Sequence, residues 1–133
     1  MSTRVGRCAV LAVAAAFAVG CGGGDDDPRC VAKRALRGAV DAVNQAELAE
    51  RAGDQERVVQ QIDAAERLIR TARRNLSAAS PTSIERNMLE AAEYLDFVVG
   101  RYRASGAVDG TLAPFAAREL NRAPAPGEAA LGC

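Results

Sequence analysis

Between Val58 and Leu76 the apolar residues fall at alternate steps of four and three: Val58, Ile62, Ala65, Ile69, Ala72 and Leu76. That spacing draws one apolar stripe along a helix, and the stripe must be covered by a neighbour. The same steps recur 26 residues later, at Ile84, Met88, Ala91, Leu95, Val98 and Tyr102. The residue types differ between the two stripes, so the match is that of two amphipathic helices and not of a repeated sequence. Two helices of equal period and length, joined by a short turn, predict an antiparallel hairpin.

Punctuation sets the helix ends. Asp27 can cap a first helix, Pro28 is tolerated at its first position, and Gly53 suits its end. This helix, about Pro28 to Ala52, places Leu36, Val40 and Val43 on one face, with Ala32, Ala39 and Ala46 beside them. Asp54 can cap a second helix, about Gln55 to Ala79, before the break at Ser80-Pro81. Thr82-Ser83-Ile84-Glu85 is a capping-box pattern, with Glu three residues after Thr. It opens a third helix, about Ser83 to Ala104, which Gly106 ends. A short fourth helix, about Leu112 to Arg122, presents Leu112, Phe115, Ala116 and Leu120 on one face before Pro124 and Pro126. No strand alternation appears. The expectation is an all-α fold: an antiparallel up-down bundle of three long helices plus a short C-terminal helix. The bundle domain spans 28–122, and a Pro-containing tail, 123–133, ends in Cys133.

The hydrophobic fraction is 49%, much of it alanine, while aromatics are 4% and Trp is absent. Such a core is aliphatic and thin. Tyr94 and Phe97 flank the seam of the third helix. Packing inside, with Phe115 among the partners, is expected of a chain so poor in aromatics. Exposed, they would mark a docking patch.

The N-terminus carries a different signal. Arg4 and Arg7 precede a run of twelve residues, Cys8 to Val19, without a charge. As a helix the run spans roughly 18 Å, short of the ~30 Å hydrocarbon core of a membrane. A short apolar run after positive charges reads as a cleaved export signal over 1–20. Ala18-Val19-Gly20-Cys21 resembles the lipobox of bacterial lipoproteins, departing from it at Ala18, where Leu is usual. The resemblance implies cleavage before Cys21, lipid on its sulfur, and a protein held at the cell membrane or envelope. Gly22-Gly23-Gly24-Asp25-Asp26-Asp27 then suits a tether, 21–27. Cleavage after Ala16-Phe17-Ala18 is the alternative, and would release a protein beginning at Val19 without an anchor.

The chain has four cysteines: Cys8, Cys21, Cys30 and Cys133. If Cys8 leaves with the signal and Cys21 takes lipid, two remain in an oxidising compartment, and the expectation is a Cys30–Cys133 bridge. The layout allows it, because the fourth helix and an extended tail can bring Cys133 back to the base of the first helix. Free thiols, or a Cys133 bridge to another molecule, remain alternatives.

Catalytic signals are few. The absence of histidine removes Ser-His-Asp and Cys-His catalysis and any His-ligated metal. No phosphate-binding glycine loop, zinc spacing or haem motif occurs, and no cofactor or metal is expected. Glu47 with Glu50, and Glu90 with Glu93, could act as paired acids, but Arg51 and Arg86 stand four residues from Glu47 and Glu90 and suggest solvated helix faces. Arg67, Arg70, Arg73 and Arg74 could grip phosphates. Asp63 and Glu66 at i−4, and a helix C-terminus, explain them more simply. Beyond residue 20 the balance is 15 basic against 17 acidic residues, which predicts no attraction to nucleic acid. The expected function is a non-enzymatic, membrane-anchored helical domain that binds an envelope protein or serves a structural role. A carrier or sensor of a small apolar or lipidic ligand, held between helices, is the alternative.

Overall fold

The computed structural model describes residues 27–77 and 79–133. The expected export signal, and all of the expected tether except Asp27, lie outside these residues. Helix α1 is Pro28–Arg51, α2 Gln55–Arg74, α3 Ser83–Ser105 and α4 Ala113–Leu120, the last entered through a 3-10 turn at Gly110–Leu112. Among the described residues the fold is all-α: three long helices and a short C-terminal one.

The starts follow the local chemistry. The Asp27 carboxylate accepts from the Arg29 amide at 2.9 Å, with Pro28 in the first turn. Asp54 does the same for α2, accepting from the Arg57 amide at 3.1 Å. Thr82 and Glu85 form a reciprocal capping box at the start of α3. At its end Gly106 takes φ 74°, and its amide donates to the Tyr102 carbonyl at 2.7 Å.

Helix α2 ends at Arg74, five residues before the expected Ala79. Asn75 stops it: its side-chain amide donates to the Thr71 carbonyl at 2.8 Å, taking an acceptor near the helix end. Helix α4 is also shorter than expected, because its first turn is 3-10 and Asn121 ends it.

The expected antiparallel hairpin of α2 and α3 forms, but the closest pairing is between α1 and α2. Alanine explains this. Ala32, Ala35, Ala39, Ala42, Ala46 and Ala49 form a buried stripe along α1, again in steps of three and four. Small side chains let helix axes approach. At Gly38 an added Cβ would stand 3.1 Å from Leu68 Cδ1, closer than ordinary contact. Leu36 and Val43 of α1, Ile62 and Ile69 of α2, and Met88, Leu95 and Val98 of α3 fill the centre, each at most 1% exposed. Helix α4 packs on α3 and α1, adding Ala113, Ala116 and Leu120.

Charges tie α2 to α3 in antiparallel sense. Arg103, near the end of α3, donates to Asp63 at 2.6 Å and Glu66 at 2.7 Å in the middle of α2. Arg73, at the end of α2, pairs with Asp96. The tail closes the base. Glu128 accepts from the Ser83 amide at 2.9 Å and from its hydroxyl at 2.6 Å. The Ser83 hydroxyl oxygen in turn accepts from the Ala125 amide at 2.9 Å.

Candidate functional site

The outer face of α3 carries Glu90, Tyr94, Phe97 and Arg101, spaced four, three and four. At 3.6 residues per turn these form one stripe, turned away from the buried face of Met88, Ala91, Leu95 and Val98. Tyr94 is half-buried, and its ring lies 6.0 Å from that of Phe115 on α4, tilted by 41°. Its hydroxyl donates to Glu90 Oε1 at 3.2 Å. Loss of solvent around the ring, then this hydrogen bond, raises the hydroxyl above the ordinary phenol range.

Phe97 and Phe115 depart from the expectation of burial. Phe97 is 52% exposed and Phe115 42%. The physical reason is angular. Phe97 lies about 100° of helix from Val98 and twice that from Leu95, so it turns outward when they turn in. Phe115 precedes Ala116, which takes the buried position. Only Tyr94 packs as the sequence suggested, and against the predicted partner.

Each exposed ring carries an arginine. The Arg101 guanidinium carbon stands 5.8 Å from the Phe97 ring centroid, and that of Arg118 stands 5.1 Å from the Phe115 centroid. Such contacts contribute about 0.5–1 kcal/mol at exposed sites. Neither arginine forms an ion pair among the described residues. Their donors are free to meet an anionic group from outside, while the rings beneath them offer apolar surface. Neither arginine was singled out as a site residue from the sequence. The Phe-x-x-x-Arg and Phe-x-x-Arg spacings, 97 to 101 and 115 to 118, were the available signal.

Most of the other singled-out residues have structural partners; Glu93 and Arg67 form no ion pair among the described residues. Glu47 pairs with Arg51. Glu50 accepts from the Val108 amide at 2.8 Å and so anchors the loop after α3. The expected Arg86–Glu90 pair does not form: Arg86 donates to the Pro81 carbonyl at 3.0 Å, and Glu90 serves Tyr94. Within the arginine cluster, Arg70 stands 3.9 Å from Glu66, Arg73 pairs with Asp96, and Arg74 donates to Thr71. Asp63 reaches Arg103 of α3 in place of its helix neighbour Arg67. Among the described residues no group of three or more metal-ligating side chains gathers, and no helix is long and apolar enough to cross a membrane.

A cleft between α1, α3, α4 and the tail is lined by Lys33, Ile84, Met88, Leu120 and Leu131, with a volume of ≈ 80 Å³. That is well below the ~300–1,000 Å³ of typical ligand sites. A more open groove, lined by Arg37, Val40, Asp41 and Leu120, measures ≈ 210 Å³.

The structure brings Cys30 and Cys133 to disulfide distance, with Cα atoms 5.9 Å apart. Cys21 lies outside the described residues. No protein-family description, curated protein or solved structure matches the chain.

Proposed function

We propose that this chain is an exported lipoprotein, anchored through lipid on Cys21, whose helical domain docks another macromolecule in the cell envelope by its α3–α4 face. One observation carries the docking role. A chain with five aromatic residues leaves two of its phenylalanines in solvent, each with an unpaired arginine laid over it. Leaving those rings in water forgoes the burial that a thin alanine core most needs, and rings and arginines of this kind are enriched at the centres of protein interfaces.

The anchor rests on the sequence: the short apolar run, the lipobox-like Ala18-Val19-Gly20-Cys21 and the Gly/Asp stretch that follows. A diacyl anchor gives lasting attachment where one acyl chain does not. The tether would hold the bundle near the membrane while leaving its face free.

The test compares partner capture from envelope extracts by the wild-type chain and by Phe97→Ala/Phe115→Ala. The account expects a specific partner with the first and its loss with the second, with helical content unchanged by circular dichroism. A partner retained at full strength by the double variant contradicts the reading.

A further inference from the structure

The outer ridge of α3 has a charge pattern that is reversed about its centre. Glu93, Phe97 and Arg101 stand at i, i+4 and i+8, an acid and a base equally spaced on either side of an aromatic ring. The ridge is about 12 Å long and is one of the i±4 rows by which helices commonly pack. All three residues are exposed. Glu93 and Arg101 form no ion pair among the described residues. Arg103 of the same helix, by contrast, spends its charge inside the bundle, on Asp63 and Glu66. Beside Phe97, Gly100 leaves a low place on the helix surface, with nothing within 4 Å of where a Cβ would stand.

We propose that this ridge pairs with the same ridge of a second copy of the chain, antiparallel, about a twofold axis through Phe97. A twofold interface must be self-complementary, since each patch meets itself reversed. Reversal turns the order acid–ring–base into base–ring–acid. Arg101 of each copy then faces Glu93 of the other, the two Phe97 rings meet at the axis, and Gly100 admits the facing aromatic side chain. Phe115 and Arg118 extend the contact from α4, because the Tyr94–Phe115 contact holds that helix beside the ridge. An anionic membrane surface is a poorer occupant: Glu90 and Glu93 stand on the same face as the arginines, and it would repel them. A contact between two short ridges is at the small end of specific interfaces. Confinement of both copies to one membrane raises their effective concentration.

The proposal names the occupant of the docking face and rests on that reading. Its test is a charge-swap cycle on the full chain purified after export, by sedimentation equilibrium in density-matched detergent over a wide concentration range. Wild type gives a reversible, non-covalent dimer. Arg101→Glu alone and Glu93→Arg alone each set like charges opposite one another twice, and weaken association by about tenfold or more. The double variant Arg101→Glu/Glu93→Arg restores opposite charges and recovers the dimer. Circular dichroism confirms that each variant folds. A wild-type monomer at every concentration, or a double variant no better than the singles, overturns the pairing. If the wild type is monomeric and Phe97→Ala/Phe115→Ala still loses an envelope partner, the docking reading stands and the occupant is a different protein.

Discussion

Cys30 and Cys133 lie 103 residues apart in sequence, and their Cα atoms are 5.9 Å apart in space. Cys30 is buried at the base of α1, 3% exposed, while Cys133 closes the tail against it. The bridge therefore encloses the whole bundle in one loop.

A loop of that size makes the bridge a large stabiliser. In the chain-entropy description a loop of about 100 residues limits the unfolded state by ~4.7 kcal/mol, and measured bridges usually contribute about 2–4. Replacing both cysteines, Cys30→Ser/Cys133→Ser, should lower the thermal midpoint steeply. Wild type melted in a dithiol reductant should fall to the same level. Equal midpoints for oxidised wild type and the double variant would mean that the bridge does not constrain the unfolded chain.

The core offers a second check. Ile62 is fully buried in the core. Ile62→Ala should cost about 2–5 kcal/mol, the transfer term plus the cavity left by a rigid, alanine-lined surround. Val59→Ala, one helix position from the core residue Val58 but 42% exposed, should cost far less. Urea unfolding of the two variants measures the contrast.

Three glycines should respond to alanine differently. Gly100 lies inside α3 with open space around it, so Gly100→Ala should stabilise the monomer by about 0.5–1 kcal/mol. Gly106 holds φ 74° at the end of the same helix, and Gly106→Ala should destabilise by about 1 kcal/mol. Gly38 faces Leu68, and there the gain in helix propensity should be offset by crowding. Opposite signs at 100 and 106 in chemical denaturation are the outcome that matters.

Acid should loosen the tail. The Ser83 hydroxyl and amide, which donate to Glu128, hold its carboxyl below the ordinary value of 4.5. A depressed folded-state pKa contributes stability above the unfolded value, and loses it as pH falls through the folded one. Wild type should therefore exceed Glu128→Gln in urea midpoint near neutrality, and the gap should close in acid below about 4.5. A gap that is constant with pH would show that the carboxylate charge plays no part.

Much of this architecture is written locally. The 58–76 and 84–102 stripes, the Asp27, Asp54 and Thr82 caps and the Gly106 stop depend on neighbours within four residues, and each shows in the sequence. What escaped depends on partners far along the chain. Ala35, Ala42 and Ala49 look neutral until α2 closes on them. Ser83 looks like part of a capping box, yet its hydroxyl and amide are held by Glu128, 45 residues on. The end of α2 turned on whether Asn75 would bond back to Thr71 or let the helix continue, a choice composition does not dictate. For the candidate site, the residues Tyr94, Phe97 and Phe115 were legible, but their exposure was not. Which aromatic lies inside is decided by where Leu95, Val98 and Ala116 point.

The anchored placement is the premise on which a docking face at the membrane depends, and mass spectrometry of the mature N-terminus tests it directly. The account predicts a first residue of Cys21 carrying a diacylglyceryl group on its sulfur. An unmodified peptide beginning at Val19 would contradict it.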